Sequence, residues 1–106
     1  MSTTGTSLGQ PALSLAQVCK LLSDPTRWKL LRELCKGEML PSSDLAKRVG
    51  CSTDMVFSHM LVFRKLGLTV QRYRGFYEIA PAFRPAAGAT TIDLGHCVVK
   101  LDTPLE

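Results

Sequence analysis

The chain has 106 residues, which leaves room for one domain and excludes a two-domain enzyme. Hydrophobic residues make up 45% of the sequence and charged residues 21%, a composition typical of a domain that folds around a hydrophobic core. The 13 Lys and Arg residues outnumber the 9 Asp and Glu residues, and the resulting net charge of +4 permits a polyanionic partner without establishing one.

The chain opens with a segment that predicts no regular structure. Residues 1–13 are rich in Ser, Thr and Gly and contain Pro11, so we expect a flexible tail there. Ser14 is the expected N-cap of a first helix, because its side-chain oxygen can accept a hydrogen bond from a free N–H group of the first turn. The apolar positions of this helix recur at helical spacing: Leu15, Val18, Cys19 and Leu22.

A second helix is predicted to start at Asp24-Pro25, where the aspartate caps the helix and the proline occupies its first turn. We expect Trp28 to anchor its apolar stripe in the core and Gly37 to stop the helix. The remaining positions of the stripe are Leu30, Leu31, Leu34 and Cys35. Arg27 is expected to fix this helix against a neighbouring element.

Two further helices are predicted to form a helix-turn-helix. Pro41-Ser42-Ser43-Asp44 predicts a loop and a cap, followed by a short helix over 44–49 that ends at Gly50. Cys51-Ser52 predicts a turn and a new cap, and a longer helix is expected over 53–66. Two short helices joined by a short turn that contains glycine are typical of a helix-turn-helix.

The hydrophobic period changes from helical to extended after Gly67. Residues 68–73 predict a strand, Arg74-Gly75 a turn and residues 76–79 a returning strand. A hairpin placed directly behind a helix-turn-helix is the winged-helix arrangement. The predicted fold is therefore mainly α with a small β-hairpin wing, over residues 14–80.

Residues 81–106 are predicted to form a linker and an extra C-terminal β-strand. Pro81 and Pro85 end the hairpin, and apolar residues return over 91–101, with Gly95 as a candidate bulge. A strand with apolar residues on both faces needs a partner. We expect this segment to form the surface of a homodimer together with the first helix, the strand pairing with its copy.

The excess positive charge lies in one part of the chain. Residues 43–75 contain six basic and two acidic residues, a net charge of +4, whereas the seven basic and seven acidic residues elsewhere cancel. The basic residues of this block are Lys47, Arg48, Arg64, Lys65, Arg72 and Arg74. Any phosphate backbone is therefore expected to meet the predicted helix-turn-helix and wing.

Several motifs occur together in one order and spacing. Leu22-Ser23-Asp24-Pro25-Thr26-Arg27 contains a Leu, a small residue and then Asp-Pro-Thr-Arg, and Asp44-Leu45-Ala46 is an acidic-Leu-Ala helix start. A third set consists of Ser52, Val56, His59, Arg64 and Gly67-Leu68. This set falls without a gap on a stretch of sequence, Leu-Ser-Gln-Ser-Thr-Val-Ser-Arg-His-Leu-Lys-Val-Leu-Arg-Glu-Ala-Gly-Leu, of the bacterial ArsR-type winged-helix transcriptional regulators. Over residues 21–79 the chain resembles that family.

The resemblance implies a homodimeric repressor that binds an inverted-repeat operator in double-stranded DNA, with the helix over 53–66 in the major groove and the wing against phosphates. Base contacts are expected from Thr53, Asp54, Phe57 and Ser58, and backbone contacts from Lys65, Arg72 and Arg74. Ser52, His59 and Arg64 complete the predicted set of DNA-contacting residues. His59 is expected to pack within the fold and to contact a phosphate at most.

Three positions of the predicted recognition helix depart from the family. Phe57 and Leu61 stand where the family usually has Ser and Lys, and Ser58 replaces an Arg. Phe57 could contact a thymine methyl group, but exposed apolar side chains also suit a protein partner. A winged-helix protein-interaction module without specific DNA binding therefore stays open as the alternative.

Neither usual metal site of the family carries over. Met39-Leu40-Pro41-Ser42-Ser43 offers no thiolate where the metal sensors have Cys-x-Cys, and strand-like sequence replaces the C-terminal helix that holds Asp and His ligands. His96-Cys97 would supply two ligands, and without further spaced ligands this gives little support to a metal site. We expect no cofactor and no enzyme activity, since the sequence has no Gly-rich phosphate loop, nucleophile elbow or paired catalytic carboxylates. The effector is left open.

The cysteine spacing and the apolar runs indicate a cytoplasmic protein with reduced thiols. The four cysteines form no Cys-x-x-Cys pair, and no apolar run approaches the roughly 18 residues that a membrane span needs. Cys19 and Cys35 are predicted to pack in the core, because both fall on apolar helix stripes.

Overall fold

The computed structural model describes residues 12–71 and 76–104. Within them the chain forms a small α/β fold with four helices and two antiparallel sheets. The helices are α1 (Leu15–Leu22), α2 (Pro25–Leu34), α3 (Ser42–Val49) and α4 (Thr53–Lys65). The strands are β1 (Leu40–Pro41), β2 (Thr69–Gln71), β3 (Phe76–Ile79), β4 (Thr91–Asp93) and β5 (Val98–Lys100), and a 3₁₀ turn (Pro81–Phe83) follows β3.

Three helices begin where the sequence predicts a cap. Ser14 and Gln17 form a reciprocal capping box at the start of α1. The carboxylate of Asp24 accepts a hydrogen bond from the Thr26 N–H at 2.8 Å, and the Ser52 hydroxyl accepts one from Met55 N–H at 3.1 Å. The predicted starts of α1, α2 and α4 are therefore confirmed.

The start of α3 differs from the prediction. The helix begins at Ser42, two residues before the predicted Asp44, and the expected loop contains strand β1, whose Leu40 and Pro41 lie opposite Tyr77 and Phe76 of β3. The sheet order is β1-β3-β2, so β1 is an edge strand. An edge strand tolerates the missing N–H group of proline, which explains why a residue typical of loops lies in a sheet.

The hairpin behind α4 pairs antiparallel strands, with Thr69 opposite Ile79 and Gln71 opposite Tyr77. The predicted returning strand over 76–79 is confirmed by β3. The described part of the first strand covers Thr69–Gln71, and the predicted turn at Arg74-Gly75 lies outside the described residues.

The C-terminal segment forms a hairpin instead of the single predicted strand. Strand β4 pairs with β5 of the same chain, so the expectation that one strand extends over 91–101 is wrong. The turn between them depends on the Asp93 carboxylate, which accepts the Gly95 N–H at 2.8 Å, and on Gly95, whose φ is +105°. Gly95 thus lies in the turn of a hairpin and not in a bulge.

One core joins this hairpin to the helices. Leu13, placed in the predicted tail, is 2% exposed, and its N–H donates to the Leu94 carbonyl at 2.7 Å. Ile92 and Leu94 of the hairpin are also fully buried. The other largest fully buried side chains are Leu21, Leu30, Leu31, Leu34, Leu45, Val56, Met60, Phe63 and Leu68.

The apolar face of α1 is only partly as predicted. Val18 and Leu21 are buried, but Leu15 is 60% exposed and Cys19 is exposed, so the prediction that Cys19 packs in the core is wrong. The helix carries apolar residues around most of its circumference, and its pattern alone does not select the buried side. On α2 the prediction holds, because Trp28 is 6% exposed.

Candidate nucleic-acid interface

A tight turn sets the position of α4 relative to α3. Gly50 adopts the left-handed conformation, with φ +77° and ψ +39°, and both its N–H and that of Cys51 donate to the Ala46 carbonyl. Ser52 then caps α4 directly. The two helices are in contact, and β2 follows α4 after the turn at Gly67.

The helix α4 has one buried face and one exposed face. Val56, His59, Met60 and Phe63 face the core. The exposed face is formed by Asp54, Phe57, Ser58, Leu61, Arg64 and Lys65. At about 100° per residue, Asp54 and Lys65 fall at its centre, opposite the buried side, and Ser58 and Leu61 flank them. We call these six residues the α4 face.

The α4 face contains most of the residues predicted to contact bases. Ser52 is exposed at its N-terminal end, with its hydroxyl already bound to Met55 N–H, and Thr53 is half-buried. Arg64 lies close to Gln71 of β2, with Nη1 3.5 Å from Oε1. Arg72 and Arg74, the predicted wing contacts, lie outside the described residues.

His59 lies on the opposite side of α4 and is 9% exposed. Its Nδ1 accepts a hydrogen bond from Arg27 Nε at 3.3 Å, and its buried Nε2 is 3.9 Å from the Asp24 carboxylate. His59 therefore does not reach a ligand on the α4 face, which corrects its inclusion among the predicted DNA-contacting residues. Arg27 belongs to α2 and also donates a hydrogen bond to the Lys20 carbonyl of α1, at 3.3 Å. It therefore connects α2 to both α1 and α4, which confirms its predicted role of fixing its helix against a neighbouring element.

Arg48 is engaged in ion pairs on another part of the surface. Its guanidinium lies 2.7 Å from the Glu38 carboxylate and 3.3 Å from that of Glu33. The hydrogen bond from Arg48 lowers the pKa of Glu38. The positive charge of Arg48 is thus compensated by carboxylates of the chain itself. The exposed basic side chains of residues 43–71 that have no carboxylate partner among the described residues are Lys47, Arg64 and Lys65.

Three large apolar side chains of α4 are exposed. Phe57 is 47% exposed, Leu61 is 51% exposed and Met55, which the sequence analysis did not single out, is 45% exposed. A helical projection of 53–65 would have placed Met55 away from the buried stripe, since it lies about 90° from the centre of that stripe. The surface therefore combines a basic C-terminal end with an apolar middle.

In the part of the chain that the structure describes, no cluster of three or more His, Cys, Asp or Glu residues could hold a metal ion. The described helices include none long and apolar enough to span a membrane. No protein-family model matches the chain, and no curated protein matches it at a significant level.

Proposed function

We propose that this protein is a winged helix-turn-helix regulator of the ArsR type that binds double-stranded DNA through α4 and the hairpin behind it. One observation carries the proposal. The face of α4 turned away from the core is exposed over the whole helix and ends in Arg64 and Lys65, directly before an antiparallel hairpin. A helix presented in this way fits a major groove, and basic residues at its rim suit phosphates.

The proposed regulator is a homodimeric repressor acting on an inverted repeat. Two strongly exposed apolar side chains lie outside α4, Leu15 on α1 at 60% and Val98 on β5 at 59%. Both elements are tied together where Leu13 pairs with Gly95. Exposed apolar side chains on α1 and on the C-terminal hairpin support a contact between two copies of the chain.

Fluorescence anisotropy of a labelled duplex from the region upstream of its own gene tests DNA binding. The affinity should fall steeply between about 50 and 200 mM salt. An Arg72→Ala/Arg74→Ala variant should weaken binding and lower the slope of log K against log salt by about 2. The matched control is Lys29→Ala/Lys100→Ala, which removes two exposed charges remote in sequence from the proposed interface. No binding at low salt would overturn the proposal.

Sedimentation velocity tests the dimer. Deleting residues 90–106 is unsuitable, because it removes Ile92 and Leu94 from the core. The surface variant Leu15→Lys/Val98→Lys should instead sediment as a monomer with an unchanged circular dichroism spectrum. Leu61→Lys changes another exposed apolar residue, on α4, and should leave the dimer intact. A dimer that survives the double substitution contradicts this surface.

The alternative is a protein-interaction module that uses the same helix. It is favoured by the exposure of Phe57 and Leu61, at 47% and 51%, because large apolar groups in the middle of a surface suit a protein partner. The two residues are one helical turn apart and would present a continuous apolar patch.

The variant Phe57→Ser/Leu61→Lys distinguishes the two functions. Under the DNA proposal it adds a positive charge and removes apolar surface, so nonspecific DNA affinity should be kept or should rise. Under the alternative it should abolish binding to a protein partner, because its apolar contact area is lost. A loss of all DNA affinity in this variant would show that apolar contacts, and not phosphates, dominate the interface.

A further inference from the structure

An open cleft of about 800 Å³ lies on a part of the molecule that the proposed DNA interface does not use. One wall is the C-terminal end of α2, another is the end of β3, and the rest is built by residues 84–90 and 101–102. Its volume falls within the range of roughly 300–1,000 Å³ that small-molecule sites occupy.

The floor of the cleft is apolar. Leu34 and Ile79 are each 2% exposed, and Leu101 packs against the core from the C-terminal side. Cys35 also lines the cleft, and burial raises the pKa of its thiol from 9.0 to about 12, so the thiol is uncharged well above neutral pH. A ligand that covers this floor must present apolar surface to it.

The rim of the cleft carries one cationic group that the described carboxylates do not neutralise. Arg84 is 2.7 Å from Glu78, and Lys36 is 2.8 Å from Glu33. Arg32 forms no ion pair with the described residues and instead lies over the ring of Trp28, with its guanidinium carbon 5.8 Å from the ring centroid. A cation–π contact with this ring leaves the N–H donors of the guanidinium available to a ligand.

We propose that this cleft binds a small anionic molecule with an apolar body, whose acidic group pairs with Arg32 while its body covers the floor formed by Leu34, Cys35 and Ile79. The planar guanidinium suits a carboxylate, because it can donate two parallel hydrogen bonds. Asp102 also lines the cleft, and its negative charge disfavours a second acidic group, so we infer a monoanion. This inference does not depend on DNA binding.

A ligand in this cleft should stabilise the folded protein, because the cleft is lined by two separate parts of the chain. The cleft lies between α2 and the segment that carries the C-terminal hairpin, where Leu101 N–H donates to the Thr90 carbonyl at 2.7 Å. A molecule held there contacts both parts at once and stabilises the folded protein by mass action.

The test uses 1-naphthoate as the probe and 1-naphthalenemethanol as its uncharged counterpart, each titrated into the ¹⁵N-labelled full chain. Amide signals of Cys35, Gly37, Ile79 and Thr90 should shift with naphthoate. The alcohol should bind roughly tenfold more weakly, because it lacks the charge-assisted hydrogen bonds.

Two variants locate the anion. Arg32→Gln should weaken naphthoate binding roughly tenfold and leave the affinity for the alcohol unchanged. Lys29→Gln removes an exposed charge from the same helix outside the cleft, and it should leave both affinities unchanged. Circular dichroism confirms that each variant is folded. The proposal is overturned if naphthoate fails to bind, if its shifts map elsewhere, or if Arg32→Gln binds it as well as the natural chain does.

Discussion

His59 is a buried histidine whose two ring nitrogens have different surroundings. Nδ1 accepts a hydrogen bond from Arg27, so in the neutral ring the proton resides on Nε2. Nε2 is buried without a hydrogen-bond partner among the described residues, and Asp24 at 3.9 Å is too distant to accept its proton. The ring therefore holds α4 to the start of α2 through one nitrogen.

Two substitutions of His59 distinguish the contribution of its hydrogen bond with Arg27 to stability from the contribution of side-chain packing. His59→Leu removes the acceptor for Arg27 Nε and should lower the free energy of unfolding by roughly 1–2 kcal/mol. His59→Asn keeps an acceptor oxygen near the position of Nδ1 and should lose less, although it is smaller. Urea unfolding followed by Trp28 fluorescence measures both variants. Equal losses in the two would show that the Arg27 contact contributes little.

The thiols of Cys19 and Cys35 should differ widely in reactivity. Cys19 is exposed, whereas burial raises the pKa of Cys35 to about 12 from its ordinary value of 9.0. Because the thiolate is the nucleophile and a raised pKa leaves less of it, a thiol reagent at neutral pH should modify Cys19 rapidly and the half-buried Cys35 much more slowly. Mass spectrometry of peptides after timed alkylation measures this.

The raised pKa also sets the direction of one pH effect. In the unfolded chain the Cys35 thiol loses its proton near pH 9.0, whereas in the folded protein it keeps the proton until about pH 12. The free energy of unfolding therefore falls as the pH rises from 9.0 towards 12. Cys35→Ala removes this pH dependence.

In the alkylation experiment, modification of Cys35 in the native protein at a rate similar to that of Cys19 would contradict its burial.

Among the helices and strands, the starts of α1, α2 and α4 could be predicted because they depend on local chemistry. The first turn of each of these helices has a backbone N–H group that has no acceptor within the helix, and the side chain of Ser14, Asp24 or Ser52 binds it. The residues next to the cap are enough to recognise such a start in the sequence. Strand β1 could not be predicted, because its two residues become a strand only through pairing with β3, a segment more than 30 residues away.

The turn between α3 and α4 depends on Gly50. Its φ of +77° lies in the left-handed region, and a side chain there would contact nothing within 4 Å. Gly50→Ala should therefore lower the free energy of unfolding by about 1 kcal/mol through backbone strain alone. Gly50→Asn should lose less, because asparagine tolerates this conformation. Thermal unfolding compares the two, and an alanine variant as stable as the natural chain would rule out strain at the turn.

At the scale of the whole molecule, sequence reasoning located the excess charge but not the charges that the fold neutralises. Arg48 belongs to the basic block, yet its partners Glu33 and Glu38 come from another segment, and their proximity is a product of packing. The hydrogen bond between Arg27 and His59 is also a product of packing, because the two residues are 32 positions apart in the sequence. The apolar residues of the α4 face could be predicted, because the helical period alone separates them from the buried side.

The association of the N-terminal segment with the C-terminal hairpin depends on Gly95. A Cβ atom at this position would be 2.7 Å from Ala12 Cα and would also overlap the Ala12 methyl group. Gly95→Ala should therefore push the two segments apart, break the pairing of Leu13 with Gly95, and cost about 1–3 kcal/mol beyond backbone strain.

Gly88→Ala is the matched control for this substitution. Gly88 also has a positive φ, +78°, but a Cβ there meets nothing within 4 Å, so only backbone strain remains. In urea unfolding Gly95→Ala should be clearly less stable than Gly88→Ala, and adding Ala12→Gly should restore part of the difference. If the two alanine variants are equally stable, or if Ala12→Gly restores nothing, the contact with Ala12 does not hold the N-terminal segment on the hairpin.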